Sequence, residues 1–238
     1  MDRTKVLIVD DDAALLAKLN QVLHKEGFAV ESVQTGENCL ERLKPFAPDL
    51  LIIDIVLTGS AAATTGMDGM ELLRRVRQRS SVPVIMLTRT SIGYVKVAAL
   101  TIGADDYLTK PFDPEELVAR ARAILRRTKS QQPGEPVLKF RRLRIDPGAR
   151  RVWKDDAPLA LRPLEYDLLY ALAKRPGQVY NREQLINRAW KHDHYGDERV
   201  VDVHMGRLRK KIEDDSRNPR LIVTVRGAGY RFEDEPVS

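Results

Sequence analysis

Along residues 1–127, short runs of continuous apolar residues alternate with amphipathic segments. Residues 6–9, 50–53 and 84–87 are apolar at every position, the pattern of strands buried on both faces of a parallel sheet. A shorter strand is expected at residues 30–33 and a fifth at residues 104–109. Between the first two, Leu15, Leu16, Leu19, Val22 and Leu23 recur at helical spacing, which predicts a helix over residues 13–25 ended by Gly27. Further helices are expected over residues 37–43, 69–78, 95–101 and 115–127, the last opened by Pro114. Strand and helix alternate five times, which defines an α/β doubly wound parallel sheet.

From Thr128 to Pro136 the chain reads Thr-Lys-Ser-Gln-Gln-Pro-Gly-Glu-Pro, without apolar periodicity. This predicts a short linker over 128–136, between a domain at 1–127 and another at 137–238. The pattern beyond it differs. Residues 138–152 read as short strands broken by Asp146-Pro147-Gly148, and residues 163–173, 182–190 and 198–212 as three helices. Residues 222–232 read as two strands around a Gly-rich turn. Three helices followed by a hairpin is the plan of an α+β winged helix-turn-helix.

Charge sharpens this division. The net charge is +6. Basic and acidic residues balance over 1–127, so the whole excess lies after residue 127, a hint of nucleic-acid binding in the second half. The one cysteine, Cys39, excludes an intramolecular disulfide and fits a reducing cytoplasm. No apolar run is long enough to span a bilayer. Residues 1–5 run into the first strand with no signal-peptide pattern, so a cytoplasmic location is expected, with no membrane partner.

The first domain's polar residues gather where the strands end. Asp10-Asp11-Asp12 follows the first strand, Asp54 the third, Thr88 the fourth, and Lys110-Pro111 the fifth. Any one of these alone is an ordinary turn or cap residue. Ligands of open α/β sheets bind outside the carboxyl ends of the strands, so all of them converge on one crevice. Crowded carboxylates favour a hard divalent cation, and a lysine and a hydroxyl beside them favour a phosphoryl group.

Together these motifs resemble the OmpR/PhoB class of two-component response regulators over nearly the full length. The receiver motifs are 7–12, the Asp54 strand, Met67-Asp68-Gly69, Leu87-Thr88 and 103–112. The effector motifs are 181–185, Val201-Asp202-Val203-His204, 207–211 and 224–232. The resemblance implies a receiver of flavodoxin-like strand order 2-1-3-4-5 and a DNA-binding transcription factor rather than an enzyme. It implies that Asp54 accepts a phosphoryl group from a sensor histidine kinase. Mg²⁺ would be held by Asp11 and Asp54 directly, by Asp10 through water, and by the backbone carbonyl of Val56. Lys110 and Thr88 would contact the phosphoryl oxygens, Lys110-Pro111 would be cis, and Tyr107 would swing inward as Thr88 moves. Lys96, Asp105, Asp106, Glu116, Arg120 and Arg127 match a charged face through which receivers form a homodimer. Arg199, His204, Arg207 and Arg209 on the recognition helix, with Arg226 at the wing tip, are the expected contacts to tandem sites on double-stranded DNA. Val201, Val203 and Leu208 are expected to face the core. RNA polymerase is a further partner that such a regulator admits.

Three departures qualify the resemblance. The loop after Asp54 carries extra small residues around Ser60–Gly66, Arg89 stands where the family places a small residue, and Gly206 stands where it often has an arginine. Arg89 and the insertion keep open a receiver that works without phosphorylation. A Mg²⁺-dependent phosphatase is a third reading, weakened because Val56 stands where an added general acid is required. His192 and His194 flank Asp193, but two loop histidines without a third partner do not define a metal site.

Overall fold

The computed structural model describes residues 3–57, 67–89, 93–129, 135–189, 198–234 and 237. The chain divides into two compact units, residues 1–125 and 126–238.

In the first unit, β1 (Lys5–Val9), β2 (Ala29–Val33), β3 (Leu50–Asp54), β4 (Val84–Thr88) and β5 (Asp106–Thr109) form one parallel sheet of order β2-β1-β3-β4-β5. The helices are α1 (Ala13–Lys25), α2 (Gly36–Phe46), α3 (Gly69–Arg79), α4 (Gly93–Ile102) and α5 (Pro114–Lys129). The expected doubly wound fold and strand order are both present. β3 and β4 are buried along their whole length, which is why their sequences are apolar without alternation. On one face Leu16, Leu19 and Leu23 of α1 and Leu117, Ala121 and Ile124 of α5 pack on Val6, Ile8, Ile52 and Ile85. The strand order reverses between β1 and β3, the switch point beyond which a doubly wound sheet opens its binding crevice.

Caps set where two helices begin. Asp12 accepts hydrogen bonds from the N–H groups of Ala14 and Leu15, each at 3.0 Å, and so starts α1 at the crevice. Asp68 accepts from the N–H of Glu71 at 2.7 Å and starts α3. The next residue, Gly69, is fixed by contact: a Cβ there would lie 1.9 Å from the carbonyl oxygen of Asp54. Only glycine lets α3 begin against the end of β3.

Far from the crevice, Arg77 of α3 ties three segments together. Its guanidinium donates to the carbonyls of Gly103 (2.8 Å) and Val82 (2.5 Å) and to Asp105 (2.9 Å), whose carboxylate also accepts from the N–H of Val84. Helix α5 continues to Lys129, so the first two residues of the expected linker are helical.

In the second unit, β6 (Leu138–Lys139), β7 (Leu143–Asp146), β8 (Arg151–Lys154) and β9 (Ala157–Leu159) form an antiparallel meander. The pattern of residues 138–152 missed β9. Its hairpin turns on Asp155 and Asp156, both at positive φ, a type I′ geometry that normally advertises itself through glycine. Helices α6 (Pro163–Ala173), α7 (Arg182–Ala189) and α8 (Arg199–Ile212) follow, and β10 (Ile222–Val225) pairs with β11 (Gly229–Phe232) as the wing. Tyr180 joins β11 through paired backbone bonds with Tyr230, each 2.9 Å. A Cβ at Gly229 would meet the Tyr180 carbonyl at 2.0 Å, so that glycine lets the wing close on the segment before α7.

Candidate functional site

At the end of β1, Asp10 is fully buried; at the end of β3, so is Asp54, while Asp11 is half-buried. One oxygen from each of the three lies within 4.8 Å of the others. Lys110, directly after β5, reaches across them. Its Nζ donates to Asp10 Oδ2 at 2.5 Å and to Asp54 Oδ2 at 2.6 Å. The Lys110-Pro111 bond is cis, as the resemblance implies, and the Lys110 N–H donates to the Thr88 carbonyl at 2.6 Å. These contacts bring the lysine and the end of β4 to the same point, and Thr88 is buried there.

One ammonium is shared between the two fully buried carboxylates, Asp10 and Asp54, so their negative charge exceeds its positive charge. Burial raises the pKa of Asp54, and the hydrogen bond and charge of Lys110 oppose that rise only in part. An oxygen-only donor set with surplus negative charge suits a hard divalent cation. The division of labour among the donors is also legible. Asp10 has both oxygens engaged, Oδ2 with Lys110 and Oδ1 with the Asp12 N–H at 3.0 Å. Among the described residues, Asp54 Oδ1 receives only a long 3.3 Å bond, from the Val56 N–H.

Around this centre, Arg89 is exposed and Val56 is among the exposed large apolar residues. Tyr107 is buried, only 7% exposed. The Ser60–Gly66 insertion lies outside the described residues.

The charged face needs correction. Asp105, Asp106 and Arg120 are each less than 5% exposed. Asp105 is paired with Arg77. Arg120 donates to Asp106 at 2.9 Å and to Glu116 at 2.6 Å within its own chain. The sequence reading treated these as surface charges; desolvated carboxylates instead require partners, and the fold supplies them. Glu116 remains half-buried at the edge. The side chains of Lys96 and Arg127 lie outside those described.

In the second unit, α8 buries Val201, Met205, Leu208 and Ile212, while Val203 is only half-buried. Two expected DNA contacts are engaged within the domain in this structure. His204 is 1% exposed. Arg209 is turned onto the wing: its guanidinium donates to the Ile222 carbonyl (2.9 and 2.6 Å) and to Thr224 Oγ1 (2.8 Å) and lies over the Tyr230 ring. Arg207 is half-buried near His204, and Arg226 is exposed at the hairpin tip. The Arg199 side chain lies outside those described. Lys210 is exposed and lies one helical turn beyond Gly206, a further candidate contact. Nothing lies within 4 Å of a Cβ built at Gly206.

Several positioning residues were also invisible to the motif reading. The Asp202 carboxylate accepts from Arg182 at 2.8 Å and from the Tyr230 hydroxyl at 2.7 Å, joining α7, α8 and β11. Burial, together with that carboxylate, pushes the Tyr230 hydroxyl up to about 12. Asp202 stood inside a quoted motif, but only its three-dimensional partners reveal its role.

A receiver-type sheet with a buried acidic centre followed by a winged helix defines a DNA-binding response regulator. Residues 6–122 match the family model described as response regulator receiver domain, and residues 156–232 match transcriptional regulatory protein, C terminal. The chain belongs to the OmpR/PhoB type of response regulator. It is 42% identical over 229 residues to the DNA-binding response regulator MtrA of Mycobacterium tuberculosis, covering 96% of each chain. It is 38% identical over 239 residues to the transcriptional regulatory protein ResD of Bacillus subtilis, covering 98% of this chain and 97% of that one. Among solved structures, a mutant of RitR aligns with TM-score 0.72 at 27% identity, covering 98% of this chain and all of that one. The Thermotoga maritima OmpR/PhoB homologue DrrB aligns with TM-score 0.51 at 33% identity, with the same coverage. These relatives are DNA-binding transcriptional regulators rather than enzymes. Among the described residues, no helix is long and apolar enough to cross a membrane.

Proposed function

We propose that the chain is a cytoplasmic transcription factor switched by phosphorylation of Asp54 by a sensor histidine kinase, with residues 1–127 as receiver, 128–136 as linker and 137–238 as effector. The observation that carries this reading is the Lys110 ammonium held between Asp10 and Asp54 at the end of the sheet. Asp11, Asp54 and the Val56 carbonyl would hold Mg²⁺, with Asp10 joining through water, and the ion would supply charge neutralisation for phosphoryl transfer. Asp54 is the nucleophile. Lys110 is placed to leave its carboxylate partners for a phosphoryl oxygen, and Thr88 to donate its hydroxyl to another. Arg89, at the exposed rim, shields the product from water. Tyr107, already largely enclosed, follows Thr88.

The phosphorylated receiver pairs with a second copy through the α5 side, using Lys96, Glu116 and Arg127 with Asp106 and Arg120 exchanging their internal partners. A two-fold receiver pair brings two effectors to tandem DNA sites. On DNA, Arg199, Arg207 and Lys210 serve the major groove and Arg226 a minor groove; the promoter-bound dimer is then placed to meet RNA polymerase.

Sedimentation of the full chain with and without beryllofluoride and Mg²⁺ tests the switch. A monomer that becomes a dimer, with tighter binding to a two-site duplex, is expected. An unchanged monomer with unchanged DNA affinity supports instead the receiver that works without phosphorylation.

A further inference from the structure

The hold that α8 keeps on the wing is more specific than packing alone. Arg209 and Glu213 stand one helical turn apart at the end of α8 and grip the same residue of β10. The Arg209 fork takes the Ile222 carbonyl through Nε and Nη2 and the Thr224 hydroxyl through Nη2. The buried Glu213 carboxylate accepts the successive N–H groups of Arg220, Leu221 and Ile222 at 2.8–3.1 Å. Ile222 is therefore held at both its N–H and its C=O by side chains of one helix. On the opposite strand, Asp202 of α8 accepts from the Tyr230 hydroxyl, and Tyr230 sits across from Thr224 in the hairpin register. Both wing strands are thus fastened to the recognition helix. The tip that carries Arg226 lies just beyond the Val225–Gly229 pair.

We infer that Arg209 is a positioning residue for DNA reading: with Glu213 it fixes the wing to the recognition helix, so that groove contacts from α8 and from Arg226 are presented at one set spacing. This rests on the proposed role of Arg226. The geometry separates it from a phosphate contact. A lysine keeps the positive charge, but as a point donor it lacks the planar fork that holds Ile222 and Thr224 together. If charge were the function, lysine would suffice.

The test uses the full chain, a duplex enriched by the wild-type protein from a randomised pool, and a scrambled duplex, over a salt series. Arg209→Lys is expected to lose about tenfold in the ratio of specific to scrambled affinity while keeping its scrambled affinity. Thr224→Val, which alters no charge, is expected to lose part of the same ratio and serves if Arg209→Lys does not fold by circular dichroism. Adding Arg226→Ala to Arg209→Lys is expected to cost much less than Arg226→Ala alone, because a displaced wing no longer delivers that arginine. Undiminished specificity in Arg209→Lys and Thr224→Val overturns the inference, as does a measurable loss from Arg226→Ala that is the same in both backgrounds. If Arg226→Ala alone is silent while Arg209→Lys still loses specificity, the clamp stands and the wing-arginine reading falls.

Discussion

At Asp54, Lys110 and Gly206, single residues carry separate predictions. Asp54 and Asp10 are buried carboxylates whose only described cationic partner is one lysine, so a divalent cation is expected to stabilise the folded state by mass action. At a Mg²⁺ concentration a hundredfold above its dissociation constant the gain is about 2.7 kcal/mol. Thermal unfolding should therefore shift upward with Mg²⁺ in the wild-type chain. Asp11→Ala should lose most of that shift, and a full shift in the variant would remove Asp11 from the ligand set. Gly206 makes a contrasting case. It lies inside α8 with open space around its missing side chain, so Gly206→Ala should raise stability by about 0.5–1 kcal/mol. An unchanged or lower unfolding midpoint would mean that the glycine answers a constraint of the free protein. Cys39, by contrast, is fully buried, and burial pushes its thiol up to about 12, which leaves it unreactive.

Elements differ in how well their sequences announced them. The parallel strands were legible because burial on both faces leaves continuous apolar runs, and the crevice was legible because chain topology alone sends Asp10, Asp54, Thr88 and Lys110 to the same edge. Other features depended on partners distant in sequence. Asp105 and Asp106 are adjacent yet serve different clasps, one with Arg77 of α3 and one with Arg120 of α5. No local pattern distinguishes a carboxylate bound for such a pair from a solvated one. Likewise His204 and Arg209 look like groove contacts until the helix is placed, when one turns inward and the other onto the wing. The Arg77 clasp carries its own prediction. Arg77→Met strands a buried carboxylate and two backbone carbonyls, and should cost about 3–5 kcal/mol in urea unfolding. Pairing it with Asp105→Asn should recover part of that loss. A single variant within about 0.5 kcal/mol of wild type would show that the pair is dispensable to the fold.

On the scale of the whole molecule, a zero-charge receiver and a basic effector divide the work of sensing and DNA binding. On the proposed reading, chemistry at Asp54 changes what the effector does. Dimerisation with beryllofluoride tests the proposed later step, whose cost the internal Asp106–Arg120–Glu116 pairing would set. Those pairs must reopen before they serve a second copy, so Arg120→Ala should abolish dimerisation. A dimer that persists in that variant would place the interface elsewhere. The earlier step is covalent and can be read directly. The full chain incubated with acetyl phosphate and Mg²⁺ should gain the mass of one phosphoryl group, and Asp54→Ala should gain none. An adduct of equal yield in the Asp54→Ala chain, or none in the wild type, would contradict the assignment of Asp54 as the phosphoacceptor.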